Sequence, residues 1–102
     1  MAPDTTKLTS KQVAAEQLPD WEWLVGVIEA RYETGGFATG LELVNRIGAA
    51  AEEADHHPDL TLTWPLVHVR LVSHDAGGVT QRDFDLAKAI EDAGGFDQKN
   101  PA

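Results

Sequence analysis

The chain has 102 residues and a mass of 11.0 kDa, the size of one domain with no room for a second globular unit. It has no cysteine, which excludes a disulfide-built scaffold, a thiolate nucleophile and a Cys-based zinc site. Eight Lys and Arg against seventeen Asp and Glu leave a formal net charge of −9, so direct nucleic-acid binding and docking on an anionic membrane are both disfavoured.

In chain order, residues 1–7 lack the apolar stretch of a signal peptide, and no run of about 18 apolar residues follows anywhere. The expectation is a soluble cytoplasmic domain over residues 8–95, with flexible tails at 1–7 and 96–102. Thr9-Ser-Lys-Gln12 fits a capping box with Leu8 and Val13 as a hydrophobic staple, which predicts a short helix to about Gln17, stopped by Pro19. Trp21-Glu-Trp-Leu-Val25 alternates as a strand, Gly26 offers a turn, and a second strand covers Val27 to Thr34. Gly35-Gly36 breaks it. Phe37, Leu41, Val44, Ile47 and Ala51 then recur at spacings of three and four, the mark of an amphipathic helix. It must end near His57, because Pro58 disfavours helical dihedrals in the residue before it.

Leu60, Leu62 and Trp64 alternate with threonines and predict a strand that Pro65 interrupts. Val67, Val69 and Leu71 predict another, ending around His74. Asp75-Ala-Gly-Gly78 is the turn. Thr80-Gln-Arg-Asp83 forms a second capping box, with Val79 and Phe84 as its staple, and opens a helix through about Ala93 that Gly94-Gly95 ends. The order α-β-β-α-β-β-α, with strands in adjacent short-linked pairs, predicts an α+β two-layer domain: a four-stranded antiparallel sheet with helices packed on one face. Open sheet edges in so small a domain predict a homodimer formed by sheet extension.

All four histidines fall between positions 56 and 74. Glu52 and His56 are one turn apart on the long helix and share a face. His57 follows at the helix C-terminus, where the carbonyl dipoles favour an imidazolium. His74 ends a strand that can fold back beside that helix end, followed by Asp75, Asp83 and Asp85. This gathers two or three imidazoles and one or two carboxylates, groups suited to proton transfer at neutral pH. Trp64, alternating with Leu60 and Leu62, is expected to pack on the sheet, with a place in the pocket wall as the alternative. Asp83 is either a cap residue alone or a cap that also faces the pocket. His68 reads as an ordinary strand residue.

The order of residues goes further. Glu52-xxx-His56-His57-Pro58, then five residues to Trp64, nine to His74 and eight to Asp83, resembles the signature of the pterin-4a-carbinolamine dehydratases, also called 4a-hydroxytetrahydrobiopterin dehydratases. His74-Asp-Ala-Gly-Gly-Val-Thr-Gln-Arg-Asp83 with Asp85-Leu-Ala87 is similar to the segment leading into that family's last helix. Phe37-x-x-Gly40 up to Ala51-Glu52 is similar to its long helix, and Leu18-Pro-Asp-Trp21 to its early Trp strand. The chain departs from the family in a shorter span between Trp21 and Tyr32, which predicts a tight first hairpin at Gly26. In Ala30-Arg-Tyr-Glu-Thr34 only part of the family's second-strand pattern remains.

The resemblance implies a cofactor-free and metal-free hydro-lyase that removes water from 4a-hydroxytetrahydropterin in tetrahydrobiopterin recycling, as a homodimer or a tetramer. It implies that His56 and His74 share the acid and base roles. His57 would bind or orient the pterin with a secondary proton role, Glu52 would orient the His56 ring or hold its proton, and Pro58, Trp64 and Asp83 would complete the substrate site. Two alternatives compete. Glu52, His56 and His74 match a His/His/carboxylate zinc set, and some relatives act instead as protein-binding partners, as transcriptional cofactors or as assembly factors.

Overall fold

A computed structural model describes residues 6–16, 18 and 20–93 of the chain. The predicted helix end at Gln17, the stop at Pro19, the Gly94-Gly95 stop and most of the two tails lie outside the described residues. Seven elements follow in the expected order: α1 (Ser10–Glu16), β1 (Trp21–Leu24), β2 (Val27–Glu33), α2 (Phe37–Ala54), β3 (Asp59–Leu62), β4 (Leu66–Leu71) and α3 (Gln81–Asp92). The strands form one antiparallel sheet in the order β1-β2-β4-β3. Its centre is the non-local pair β2–β4, which sets Ala30 opposite Val69 and Arg31 opposite His68.

Side chains alternate between faces along a strand, and this register gathers Trp21, Ile28, Ala30, Tyr32, Val67, Val69 and Leu71 on one face. That face is buried against Leu43, Ile47 and Ala51 of α2 and Phe84, Leu86, Ala87 and Ile90 of α3. Fully burying a side chain of the Val, Leu or Ile class contributes about 1.5–3 kcal/mol, so this single apolar layer holds the helices to the sheet. Both capping boxes form. Thr9 and Gln12 exchange backbone-to-side-chain bonds of 2.9 and 3.2 Å, and Thr80 with Asp83 does the same at α3. The Leu8 N–H donates to the Val79 carbonyl at 2.9 Å, and Lys88 pairs with Glu16 at 2.8 Å, so α1 is tied to α3 at two points. The hairpin between β1 and β2 is as tight as expected, with Leu24 paired to Val27 and Gly26 at φ 77°.

The structure corrects the sequence reading in three places. The buried stripe of α2 is Gly40, Leu43, Ile47 and Ala51, whereas Phe37 and Leu41, expected to face the core, are exposed. Gly40 explains the rotation. A Cβ there would stand 2.6 Å from Leu62 Cδ1, 3.3 Å from Thr34 Oγ1 and 3.4 Å from Val67 Cγ2, so the missing side chain lets the helix press this edge onto β3 and β4. Trp64 is the second correction. It lies in the β3–β4 turn, 66% exposed, because β3 ends at Leu62 and the strand alternation no longer governs its direction. Third, α2 stops at Ala54, short of His57. Asp55 is left-handed at φ 51°, its N–H donating to Glu52 and that of His56 to Ala51, a Schellman-type ending built on Asp rather than Gly.

Two outcomes follow. Gly40→Val should lower stability by about 1–3 kcal/mol through overpacking, read as a reduced urea midpoint; an unchanged midpoint would show that the close approach is unimportant. The second concerns Tyr32, the chain's one tyrosine. It is fully buried, edge-on to Trp21, and donates to Glu91 Oε2 at 2.5 Å. Burial, and then the bond to Glu91, push its ionisation far above the usual range. The unfolded chain ionises near pH 10 while the folded chain does not. The stabilisation is therefore complete below about pH 10 and is lost as the pH rises beyond it. Tyrosinate absorbance should appear together with unfolding, and its appearance in a still-folded chain would contradict this. Tyr32→Phe should remove this alkaline component and cost about 1.5–3 kcal/mol at neutral pH.

Candidate active site

Three chain ends meet at the start of α3. The first is the exit from α2. A helical continuation would have stacked His56 over Glu52, but the left-handed Asp55 turns the chain, and the two histidines take different partners. His56 Nε2 lies 2.6 Å from Asp83 Oδ1, and His57 Nε2 lies 2.5 Å from Glu52 Oε2. The expected Glu52–His56 pairing is thereby replaced, because the helix ends two residues before the second member of that pair.

The second is the end of β4. Val67, Val69 and Leu71 point inward, and Ser73 continues the alternation as a buried hydroxyl. Its backbone bridges to Gly78, closing a loop that carries His74. The Ala76 N–H donates to the Ser73 carbonyl at 3.0 Å and the Gly77 N–H to that of His74 at 3.2 Å. Asp75 pairs with Arg82 at 2.6 Å, fastening the loop to α3. The Arg82 hydrogen bond holds the Asp75 carboxyl below the usual range. His74 itself is exposed, one residue beyond Ser73.

The third is the α3 N-terminus. Asp83 is fully buried and its carboxylate serves two purposes at once. Oδ2 accepts from the Thr80 backbone N–H at 2.8 Å and from Ser73 Oγ at 2.9 Å, and Oδ1 accepts from His56. Asp83 thus both caps α3 and contacts His56. A carboxylate acts only as acceptor, so the His56 proton sits on Nε2 and the one basic atom of the neutral ring is Nδ1.

The two imidazole–carboxylate pairs differ in environment. The His56 side chain is 11% exposed on a fully buried Asp83, whereas His57 and Glu52 are both mostly in solvent. Pro58 follows, half-buried, and leads into β3. Trp64 is not brought to the histidines within this chain, since it lies beyond the far end of β3, a strand about 13 Å long. The zinc set Glu52, His56 and His74 is not assembled either: the first two bond elsewhere, and among the described residues no three His, Asp or Glu side chains are grouped to hold a metal ion.

His68 lies elsewhere, on the sheet face away from the helices. Its Nε2 is 3.1 Å from Glu29 Oε2, without the alignment of a hydrogen bond, and Arg31 and Arg70 approach the same buried carboxylate at 3.5 and 3.4 Å. A groove of about 380 Å³ between the C-terminal parts of α2 and α3, lined by Ala50, Glu53, Ala54, Ala89 and Asp92, contains none of the histidines. Ser73 and Thr80 are the site residues that the sequence reading missed. The signal for Ser73 was present, since a polar residue at an inward strand position needs a buried partner.

Comparison with known proteins bears on this arrangement. Residues 6–93 match the family model described as pterin 4 alpha carbinolamine dehydratase. Two proteins named "Putative pterin-4-alpha-carbinolamine dehydratase" are similar over nearly their whole length. The one from Picosynechococcus sp. is 41% identical, covering 91% of this chain and 97% of the relative. The one from Nocardia farcinica is 40% identical, covering 86% and 96%. Two solved structures share the fold. One is a transcriptional coactivator/pterin dehydratase from Brucella melitensis (24% identical, 86% of this chain and 98% of that one, TM-score 0.80). The other is a pterin dehydratase-like protein identified as a RuBisCO assembly factor in the alpha-carboxysome (15% identical, 72% and 84%, TM-score 0.58). The match across residues 6–93 and the level of identity establish that this chain belongs to the pterin 4 alpha carbinolamine dehydratase family.

Proposed function

We propose that the chain is a hydro-lyase that dehydrates 4a-hydroxytetrahydropterin to the quinonoid dihydropterin. The observation that supports this most directly is the His56–Asp83 pair at the junction of α2, β4 and α3 in a chain of this family. In the reaction the C4a–O bond breaks, N5 loses its proton, the C4a=N5 double bond forms and one water leaves. An acid must protonate the departing hydroxyl and a base must take the N5 proton. His56, with Nε2–H given to Asp83, offers Nδ1 as the base. His74, exposed on its loop and able to recover a proton from solvent, supplies the acid. His57, held by Glu52, orients the pterin, and Pro58 fixes the direction in which the chain leaves that pair. Trp64 is assigned no proton-transfer step.

The same reading has the enzyme acting in tetrahydrobiopterin recycling in the cytoplasm, without a cofactor. It also has the enzyme working as a homodimer joined at an edge of the sheet, β1 or β3, the outer strands among the described residues. A second reading, a protein-binding role without catalysis, is favoured by exposed Phe37 and Leu41 on α2 and by Trp23, Leu24 and Val25 on the first hairpin.

Rapid-mixing assays on 4a-hydroxytetrahydropterin separate the two readings. His56→Ala and His74→Ala should each lower the dehydration rate by about 10²-fold with the fold intact, and unchanged turnover in both would defeat the assignment. His57→Ala and Glu52→Gln should raise KM more than they lower kcat. A wild-type chain with no turnover that captures one stoichiometric protein partner would establish the second reading instead.

A further inference from the structure

The hydrogen-bond network behind His56 has a direction, and that direction singles out a residue outside the histidine–carboxylate set. Ser73, Thr80 and Asp83 are all buried to within 1%, so their polar atoms must satisfy one another rather than solvent. The Thr80 hydroxyl lies 2.8 Å from that of Ser73 and accepts the Arg82 backbone N–H at 3.3 Å. Ser73 Oγ donates to Asp83 Oδ2 at 2.9 Å. A hydroxyl has one proton. Because Ser73 gives its proton to the carboxylate, the proton between the two hydroxyls is that of Thr80. The sequence of donors therefore runs from the Arg82 backbone through Thr80 and Ser73 to Asp83. With Oδ2 occupied by the Ser73 hydroxyl and the Thr80 N–H, Oδ1 is left to His56.

The geometry points to Ser73 as a positioning residue that acts on His56 through Asp83, a role that rests on the dehydratase reading for its catalytic consequence. Two features make it effective. The Ser73 backbone is pinned on both sides, its N–H donating to the Gly78 carbonyl at 3.0 Å and its carbonyl accepting from Gly78 at 3.3 Å and Ala76 at 3.0 Å. The hydroxyl thus occupies a fixed point in the fold. The bond also restrains rotation of the carboxylate about its Cβ–Cγ axis. Without the second donor Oδ2 is held by the Thr80 N–H alone, and the plane of the carboxylate, and with it the His56 ring, is held less firmly. Ser73 is also the residue before His74, so the same anchor places the backbone from which His74 projects.

The test compares wild type with Ser73→Ala and Ser73→Thr in the full-length chain, by two readouts. Ring-nitrogen NMR of His56 should show a single Nε2–H tautomer in wild type, a mixture of tautomers in Ser73→Ala, and the wild-type pattern restored in Ser73→Thr, which keeps the hydroxyl. Kinetics on 4a-hydroxytetrahydropterin should show kcat lowered by about tenfold in Ser73→Ala with KM within about twofold, and kcat recovered in Ser73→Thr. If Ser73→Ala does not fold, Ser73→Cys, with a weak donor of similar shape, serves for the same comparison. An unchanged His56 tautomer in the variant lacking the hydroxyl overturns the proposal, whatever happens to kcat. A tautomer change in a chain whose wild type shows no turnover upholds the positioning role and defeats the dehydratase reading instead.

Discussion

A fully buried carboxylate without partners costs several kcal/mol, and in this chain that constraint falls on Asp83. It is met by two donors on Oδ2, by the His56 N–H on Oδ1, and by the positive end of the α3 dipole, which favours an anion in the first helical turn. Each donor comes from a different part of the chain: the α3 cap, the end of β4 and the exit from α2. Satisfying Asp83 therefore holds these three ends together. The imidazole is placed by the same bonds that stabilise the junction, so its position is as firm as the packing around it.

The two imidazole–carboxylate pairs show how environment divides similar groups. His56 and Asp83 are sheltered, and their geometry is set by the fold. His57 and Glu52 are solvent-exposed, where a pair of this kind is worth little to stability. Glu29 offers a third case. It is buried on the sheet face away from α2 and α3, beneath Arg31, Arg70 and His68, where neighbouring strand positions bring two guanidinium groups and an imidazole around one carboxylate. Its two arginines remain half-exposed, and it touches neither histidine pair.

Helix α2 links the core to the site. Its register on the sheet is determined by Gly40, whose missing Cβ permits contact with Leu62 and Val67, and by Leu43, Ile47 and Ala51 further along. This rotation leaves Phe37 and Leu41 in solvent and fixes where the helix ends in relation to β4. The left-handed Asp55 then redirects the chain so that successive histidines face different carboxylates. A helix longer by one turn would have kept His56 on the Glu52 face and away from Asp83.

Much of this was legible in the residues themselves. The order of elements, both capping boxes, the turn at Gly26 and the cluster of histidines followed from local signals: periodicity, cap chemistry, and the backbone limits of Gly and Pro. These depend on neighbours a few positions away, which a sequence displays directly. The pairing of His56 with Asp83 and of His57 with Glu52, the partners that Ser73 finds in Thr80 and Asp83, the exposure of Trp64 and the choice of Gly40 for the inward stripe of α2 depended on residues distant in the chain. The tertiary structure alone decided them, because donors and acceptors find partners, and helices find their rotation, only when packing brings separate segments into contact.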